Sequence, residues 1–325
     1  MKIAYLTDGN SDLGLGHVYQ SKTLAGYLLQ KGGANIEIMF VTQSASEIVS
    51  LITKEGFNAV RVQNDEAVLT YLKGYCPNVI IFDKLDINPT LAKALKEQIQ
   101  AKLCIFTCIT EANDYADLSV LADMGSNFKN ICDRKNGQTI MRGTKYWIMR
   151  PDFYKYAKEP KDSVETISRI TLIFGGADPQ NYSETVVKQL LKKDSFEINL
   201  IIGSVYPHEE ELKGIVTSSS SKSHVKLMKN VTNVAELMYN SDLVLSSPGL
   251  SMFEALKVNT PVISFWQSEL QRDVYGDYIK TYGPEDVDQV LDFINNKEFI
   301  SPDDEFIKGL EIGCGLGDII HEIIN

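Results

Sequence analysis

No CxxC pair, no block of basic residues and no apolar run approaching the roughly 18 residues of a membrane span occurs in these 325 residues. Each absence removes a class of function. The five cysteines, Cys76, Cys104, Cys108, Cys132 and Cys314, form an odd set, which suits reduced cytoplasmic thiols better than a disulfide framework. Cys104 and Cys108 are close in sequence, but KLCIFTCIT reads as a strand, where that spacing separates them by about 13 Å, so no metal or redox site is expected there. The net charge is −11, which excludes a broad electrostatic footprint for nucleic acid. A small anionic ligand would have to be held by local backbone dipoles instead. The opening MKIAYLTDGN lacks the charged-then-apolar design of a signal peptide. The expected location is the cytoplasm, with no membrane span.

What is present is ordinary globular composition, 44% hydrophobic and 23% charged, over a length that suggests two domains. Short β-branched runs alternate with longer amphipathic segments. KIAYLT, IEIMFVT, NAVRV, NVIIFD and KLCIF are separated by helical patterns from about His17 to Lys31, Ser46 to Glu55, Asp65 to Lys73 and Pro89 to Gln98. This alternation predicts βαβ units and a parallel sheet. Residues 123–150 are less regular, and MRPDFYKYAKEPKDSVET has the polar, proline-bearing composition of a linker. The pattern then restarts with RITLIFGG, EINLIIG, HVKLM, SDLVLSS and TPVISF. Two doubly wound domains follow, over 1–152 and 165–325. A final helix is expected to cross back onto the first domain.

In open α/β sheets ligands sit outside the carboxyl ends of the strands, so four loops stand out. In TDGNSDLGLGHVYQS, Gly14 and Gly16 precede His17 at the start of a helix. Glycines permit close backbone approach, and free N–H groups at a helix N-terminus favour anionic oxygens. The same positive dipole end favours a neutral imidazole able to accept a proton. The bland alternative is a glycine turn with an incidental histidine. In FDKLD, Asp83 and Asp86 follow an apolar strand and could accept from sugar hydroxyls or orient a base; Asp86 could equally start the helix at Pro89.

In LIFGGADPQN, Gly175 and Gly176 allow a phosphate or nucleobase near the backbone, with Asp178 as N-cap and Pro179 as the first helical residue. In LVLSSPGLSMFEAL, Ser247 and Gly249 lead into a helix near Ser251. The N–H groups of Gly249, Leu250 and Ser251 suit a diphosphate, and Glu254 could take ribose hydroxyls. Ser251 and Glu254 also have the spacing of a capping box, which competes with that role.

These loops, in this order, resemble the PseG and SpsG-like branch of the MurG-related GT-B proteins, which includes the UDP-sugar hydrolase of pseudaminic acid biosynthesis. The matching segments are GLGHVYQSKTLA, GTKYWIMRPDF, LIFGGADPQN and SSPGLSMFEAL, with GCGLGDIIHEI similar at the end. The resemblance implies a GT-B architecture, two Rossmann-like domains facing across a cleft, and metal-independent attack near the anomeric carbon of a UDP-sugar with no cofactor. It implies His17 as general base, Glu254 as ribose ligand and the Ser251 loop as diphosphate cradle, and Asp83 joins His17 in the expected catalytic set. Three positions depart from the family pattern. Gln20 stands for its arginine, Asp83-Lys84-Leu85 for its Asp-x-Tyr, and Leu270-Gln271 for its Asn-Gln, so Gln271 is the retained half of that pair.

The leading expectation is a UDP-sugar hydrolase, acting on a di-N-acetylated deoxy sugar in nonulosonic acid or surface polysaccharide synthesis. A GT-B glycosyltransferase using a nucleotide-sugar donor is the first alternative. A non-catalytic nucleotide-sugar binding protein is the second. His17 serves both enzymes, and the sequence assigns no oligomeric state.

Overall fold

The apolar runs become the strands of two separate sheets. The computed structural model describes every residue except 10–14, 33, 34, 85, 107, 108, 123–128, 163, 194, 204, 205 and 222. The chain divides into one unit of Met1–Met149 with Leu310–Asn325 and another of Arg150–Gly309.

In the first unit β1 (Lys2–Thr7), α1 (Gly16–Gly32), β2 (Glu37–Thr42), α2 (Ser46–Thr53), β3 (Asn58–Arg61), α3 (Asp65–Tyr75), β4 (Val79–Asp83), α4 (Pro89–Gln98) and β5 (Lys102–Phe106) alternate as the periodicity predicts. They are followed by β6 (Leu118–Leu121), β7 (Ile131–Lys135) and β8 (Gln138–Arg142), giving the sheet order β3-β2-β1-β4-β5-β6-β8-β7. All neighbours are parallel except β7 and β8. Successive residues of β1 serve opposite faces. Ile3 and Tyr5 pack with Val18, Leu24 and Leu28 of α1, whereas Ala4 and Leu6 pack with Leu72 of α3 and Leu91 of α4. Burial on both faces explains why these strands read as continuous apolar runs rather than as alternating ones.

Local signals set the helix starts. Asn64 and Asn88 accept the N–H groups of Ala67 and Thr90 at 2.9 and 3.0 Å, heading α3 and α4, and Pro89 takes the first position of α4, where its missing N–H costs nothing.

In the second unit β9 (Arg169–Ile173), α6 (Tyr182–Leu190), β10 (Glu197–Ile202), α7 (Glu209–Ser218), β11 (His224–Lys229), α8 (Val234–Tyr239), β12 (Leu243–Ser246), α9 (Leu250–Lys257) and β13 (Val262–Ser264) form a parallel sheet of order β11-β10-β9-β12-β13. It is completed by α10 (Glu269–Tyr275), α11 (Val290–Asn295) and α12 (Glu305–Gly309). Both sheets thus share one winding, in which the first strand lies beside the second on one side and the fourth on the other. The strand order reverses between β1 and β4 and again between β9 and β12, where such sheets bind ligands.

The structure corrects three readings of the sequence. The irregular stretch after residue 123 contains the antiparallel β7–β8 hairpin, closed by Asn136 and Gly137 at φ 52° and 80°. Positive φ at both turn residues is the geometry that Asn-Gly favours, because it matches the twist of the strands. Every residue of β7 is exposed, and its Asp133, Arg134 and Lys135 blunt the sheet edge. The linker contains α5 (Pro151–Tyr156), which buries Phe153 and stacks Tyr156 on Tyr239 at 5.0 Å. The helix after the double glycine begins at Tyr182 rather than Pro179, because Asp178 and Asn181 adopt φ of 47° and 53°, outside the helical region.

The last helix, α13 (Leu316–Ile324), belongs to the first unit. Its Ile319, Ile320 and Ile323 enter the same apolar cluster as α1, each burial contributing on the order of 2 kcal/mol. Residues 310–325 are therefore separate from the unit that precedes them in sequence, and the division falls at Arg150.

Candidate active site

Thr7 and Asp83 close β1 and β4 and are register partners, so the reversal point of the first sheet ends on a hydroxyl beside a carboxylate. Helix α1 lays one face over this edge, since residues three and four apart share a side of a helix. His17 Nδ1 is 2.8 Å from Asp83 Oδ1, Gln20 Nε2 donates to both carboxylate oxygens at 3.2 Å, and Ser21 Oγ donates to Oδ2 at 2.9 Å. The Asp83 side chain is 3% exposed and that of His17 14%, so the carboxylate is covered while the ring keeps some access.

An ionised carboxylate only accepts hydrogen bonds, so Nδ1 is the donor in this contact, and Nε2 is the nitrogen left to offer a lone pair whenever the ring is neutral. The carboxylate also lies by the positive end of α1, which favours its charge. A base oriented by a buried acid is a general arrangement for taking a proton from water or a hydroxyl. Gly16 opens α1 with free space around its Cα, and Gly14 lies outside the described residues, as does Leu85.

Asp8, which the sequence reading passed over, braces the neighbouring loop. It accepts from Thr42 Oγ1 at 2.9 Å and Gln43 N at 2.7 Å and pairs with Lys84 Nζ at 3.1 Å. Burial pushes its carboxyl up, but the Lys84 charge and these hydrogen bonds outweigh that and hold it below its ordinary value. Its position straight after β1 was the available signal.

The second unit presents backbone at the corresponding edge. Gly175, at φ 87°, and Gly176 are exposed after β9. A side chain at Gly203 would strike the backbone of Gly176 at 2.1 Å, so the loops after β9 and β10 touch through glycine. After β12, Gly249 at φ 138° heads α9, and among the described residues its N-cap position makes no side-chain hydrogen bond. The first N–H groups, from Leu250 and Ser251 onward, therefore have no side-chain acceptor at that position.

Two glutamines brace these turns. Gln267 Nε2 donates to Phe174 O and Ser247 Oγ, both at 2.6 Å. Gln271 accepts from Gln267 N at 2.7 Å and donates to Pro248 O at 2.9 Å, fixing the peptide that leads into Gly249. Leu270 beside it is 73% exposed.

Glu254 does not make a capping box, because α9 begins at Leu250 and places it too far along the helix. Its buried carboxyl faces Arg150 Nη2 at 3.4 Å, an arginine the sequence reading did not single out although it lies in the MRPDF segment. Burial pushes Glu254 up to about 7 against the opposing pull of Arg150. Asp178 is buried, and its carboxylate accepts from Tyr182 N at 3.0 Å and Ser183 N at 2.7 Å. It caps the first turn of α6 from outside the helix, with its oxygens turned to that turn.

Among the described residues no group of His, Cys, Asp and Glu could hold a metal ion, and no helix is long and apolar enough to cross a membrane. Cys108 lies outside the described residues.

No family model matches the chain. It is 36% identical over 330 residues to an uncharacterized protein of Methanocaldococcus jannaschii, covering 100% of this chain and 66% of that protein. It is 25% identical to the spore coat polysaccharide biosynthesis protein SpsG of Bacillus subtilis, over 83% of this chain and 79% of that one. It is 23% identical to the UDP-2,4-diacetamido-2,4,6-trideoxy-beta-L-altropyranose hydrolase of Campylobacter jejuni, over 83% and 93%. In fold it is similar to MurG of Acinetobacter baumannii, with a TM-score of 0.67 at 10% identity, over 100% and 99% of the two chains.

Proposed function

We propose that the chain, similar to SpsG and to the Campylobacter UDP-sugar hydrolase and MurG-like in fold, is a nucleotide-sugar enzyme that releases UDP from a UDP-linked sugar by histidine-activated water. The substrate class is that of a di-N-acetylated deoxy sugar destined for a surface polysaccharide. The proposal draws on the substrate named for the Campylobacter hydrolase and the process named for SpsG.

In this reading His17 Nε2 takes a proton from water as its oxygen attacks the anomeric carbon. The bond from that carbon to the diphosphate oxygen breaks, and UDP leaves with the electron pair. Asp83 stabilises the imidazolium that forms. The N–H groups opening α9 neutralise the departing diphosphate, and the glycines after β9 leave room for the nucleotide. Glu254 accepts from the ribose hydroxyls. Its ionised form suits that role better, so nucleotide binding strengthens as pH rises through about 7. No step calls for a metal.

The observation that carries the reading is the 2.8 Å contact between His17 and Asp83 at the ends of α1 and β4. A dyad with one nitrogen left for a proton favours catalysis over passive binding. Purified protein given a panel of UDP- and CMP-sugars should release UDP without an acceptor. His17→Ala should lower turnover by roughly 10² to 10⁴ while UDP affinity by calorimetry is unchanged. Release only when an acceptor is added would replace hydrolysis by glycosyl transfer, the acceptor hydroxyl taking the place of water. The substituted Gln20 and Leu270 positions keep that second reading in play. Unchanged turnover in His17→Ala would remove the dyad from the mechanism.

A further inference from the structure

The His17–Asp83 pair rests on residues that the proposed reaction does not use. Thr7 is fully buried, is the register partner of Asp83, and its Oγ1 has no hydrogen-bond partner among the described residues. Tyr5 is also fully buried, two residues earlier on the same face of β1, and its hydroxyl likewise has no partner. That face lies under α1, where Tyr5 packs with Val18 and Leu24 on either side of the turn carrying Gln20 and Ser21. The ring of Tyr5 is fixed by stacking on Phe40 at 5.0 Å. Burial raises the Tyr5 hydroxyl well above its ordinary value, and the Asp83 charge raises it further, so the phenol stays protonated and its O–H lies within electrostatic reach of the carboxylate.

Two unpaired buried hydroxyls are costly, about 1–3 kcal/mol each. Phenylalanine at Tyr5 and valine at Thr7 would fill nearly the same space without that cost. Buried polar groups are normally paired, and a water bridging two or three of them is the usual partner where direct contact is lacking. Hydroxyls placed beside a buried carboxylate therefore point to that carboxylate as what they serve.

We propose that Tyr5 and Thr7 are positioning residues for the His17–Asp83 pair, holding Asp83 from inside the sheet through a buried water that both hydroxyls bind. The bridge supplies further hydrogen bonds to the carboxylate from β1, so it fixes the direction of Asp83 and withdraws part of its charge. Without it more of the carboxylate's charge is left to the Nδ1–H of His17, and that hydrogen bond changes in strength and direction. The catalytic consequence rests on the hydrolytic reading; the structural one does not.

The experiment uses the full chain and two near-isosteric variants, Tyr5→Phe and Thr7→Val, read by proton NMR and by kinetics. The first readout is the deshielded Nδ1–H resonance of His17, identified by its loss in His17→Ala. It should move in both variants while each still unfolds in one cooperative transition, with a midpoint lowered only by the loss of a water-mediated hydrogen bond. The second readout is the pH–rate profile. Its acid limb should move by a few tenths of a pH unit, with kcat lowered severalfold and KM unchanged. An unmoved resonance in both folded variants overturns the inference whether or not the protein hydrolyses anything. A moved resonance in a protein that releases no UDP upholds the bridge and rejects the hydrolytic reading.

Discussion

The two units have the same strand winding but offer different chemistry at the same topological point. Where β1 and β4 part, the first unit presents side chains, a histidine and a buried aspartate joined at 2.8 Å. Where β9 and β12 part, the second presents backbone, with Gly175 and Gly249 in conformations that side chains resist and a helix without a side-chain N-cap behind them. The reversal of strand order creates an open crevice in each sheet, and the loops decide its use. A proton acceptor needs a titratable ring held by an acid. An anion cradle needs amide groups that nothing else occupies and glycines that let a ligand come near. Removing a side-chain function should therefore abolish turnover and spare affinity in the first unit, and disturbing the backbone should do the reverse in the second.

The largest expected effect tests the first half of that contrast. Asp83→Asn keeps the shape but can stabilise the wrong tautomer of His17, so turnover should drop by about 10³ to 10⁴ with UDP affinity intact. A parallel fall in affinity, measured by calorimetry, would break the division of labour.

Glu254 is the exception, a buried side chain in the unit that otherwise offers backbone, and its titration sharpens the comparison. Its folded value of about 7 lies above the 4.5 of a free carboxyl. The folded state therefore binds the proton more tightly, and the stabilisation present below pH 4.5 is lost as pH rises toward 7. The loss is on the order of 3 kcal/mol. Glu254→Gln should remove this dependence, so melts of wild type and variant should converge at low pH and separate toward neutrality, the variant being the more stable there. Parallel curves across that window would refute the assignment.

Gly249→Ala probes backbone alone, because nothing lies within 4 Å of the added carbon while φ is 138°. Strain of about 1–3 kcal/mol should reshape the turn and weaken UDP binding by roughly tenfold or more, with the maximal rate little changed. The smallest effect belongs to Gln271→Ala, which frees the Pro248 carbonyl and should cost affinity severalfold, about 1 kcal/mol.

Much of this was legible in the sequence. Strands buried on both faces leave unbroken β-branched runs, and Asn88 with Pro89 marks the start of α4 to the residue. His17 and the glycines stood out by their place after apolar runs. The β7–β8 hairpin was legible too, since Asn136-Gly137 is a strong turn signal, but the charged, exposed β7 carries no apolar pattern to draw attention to it. Arg150 was not legible as the partner of Glu254, because 104 residues separate them and nothing local marks the pair.

By itself the sequence determined what hydrophobic periodicity and turn chemistry settle over a few residues: the type and order of most elements and the glycine turns. Only the tertiary structure decided that Asp83 stands beside His17 across 66 residues and that Tyr5 and Thr7 lie buried next to that carboxylate. These depend on which strands become neighbours and in what register. That choice is made by burying whole sheet faces at once, a cooperative quantity that no short stretch of chain contains.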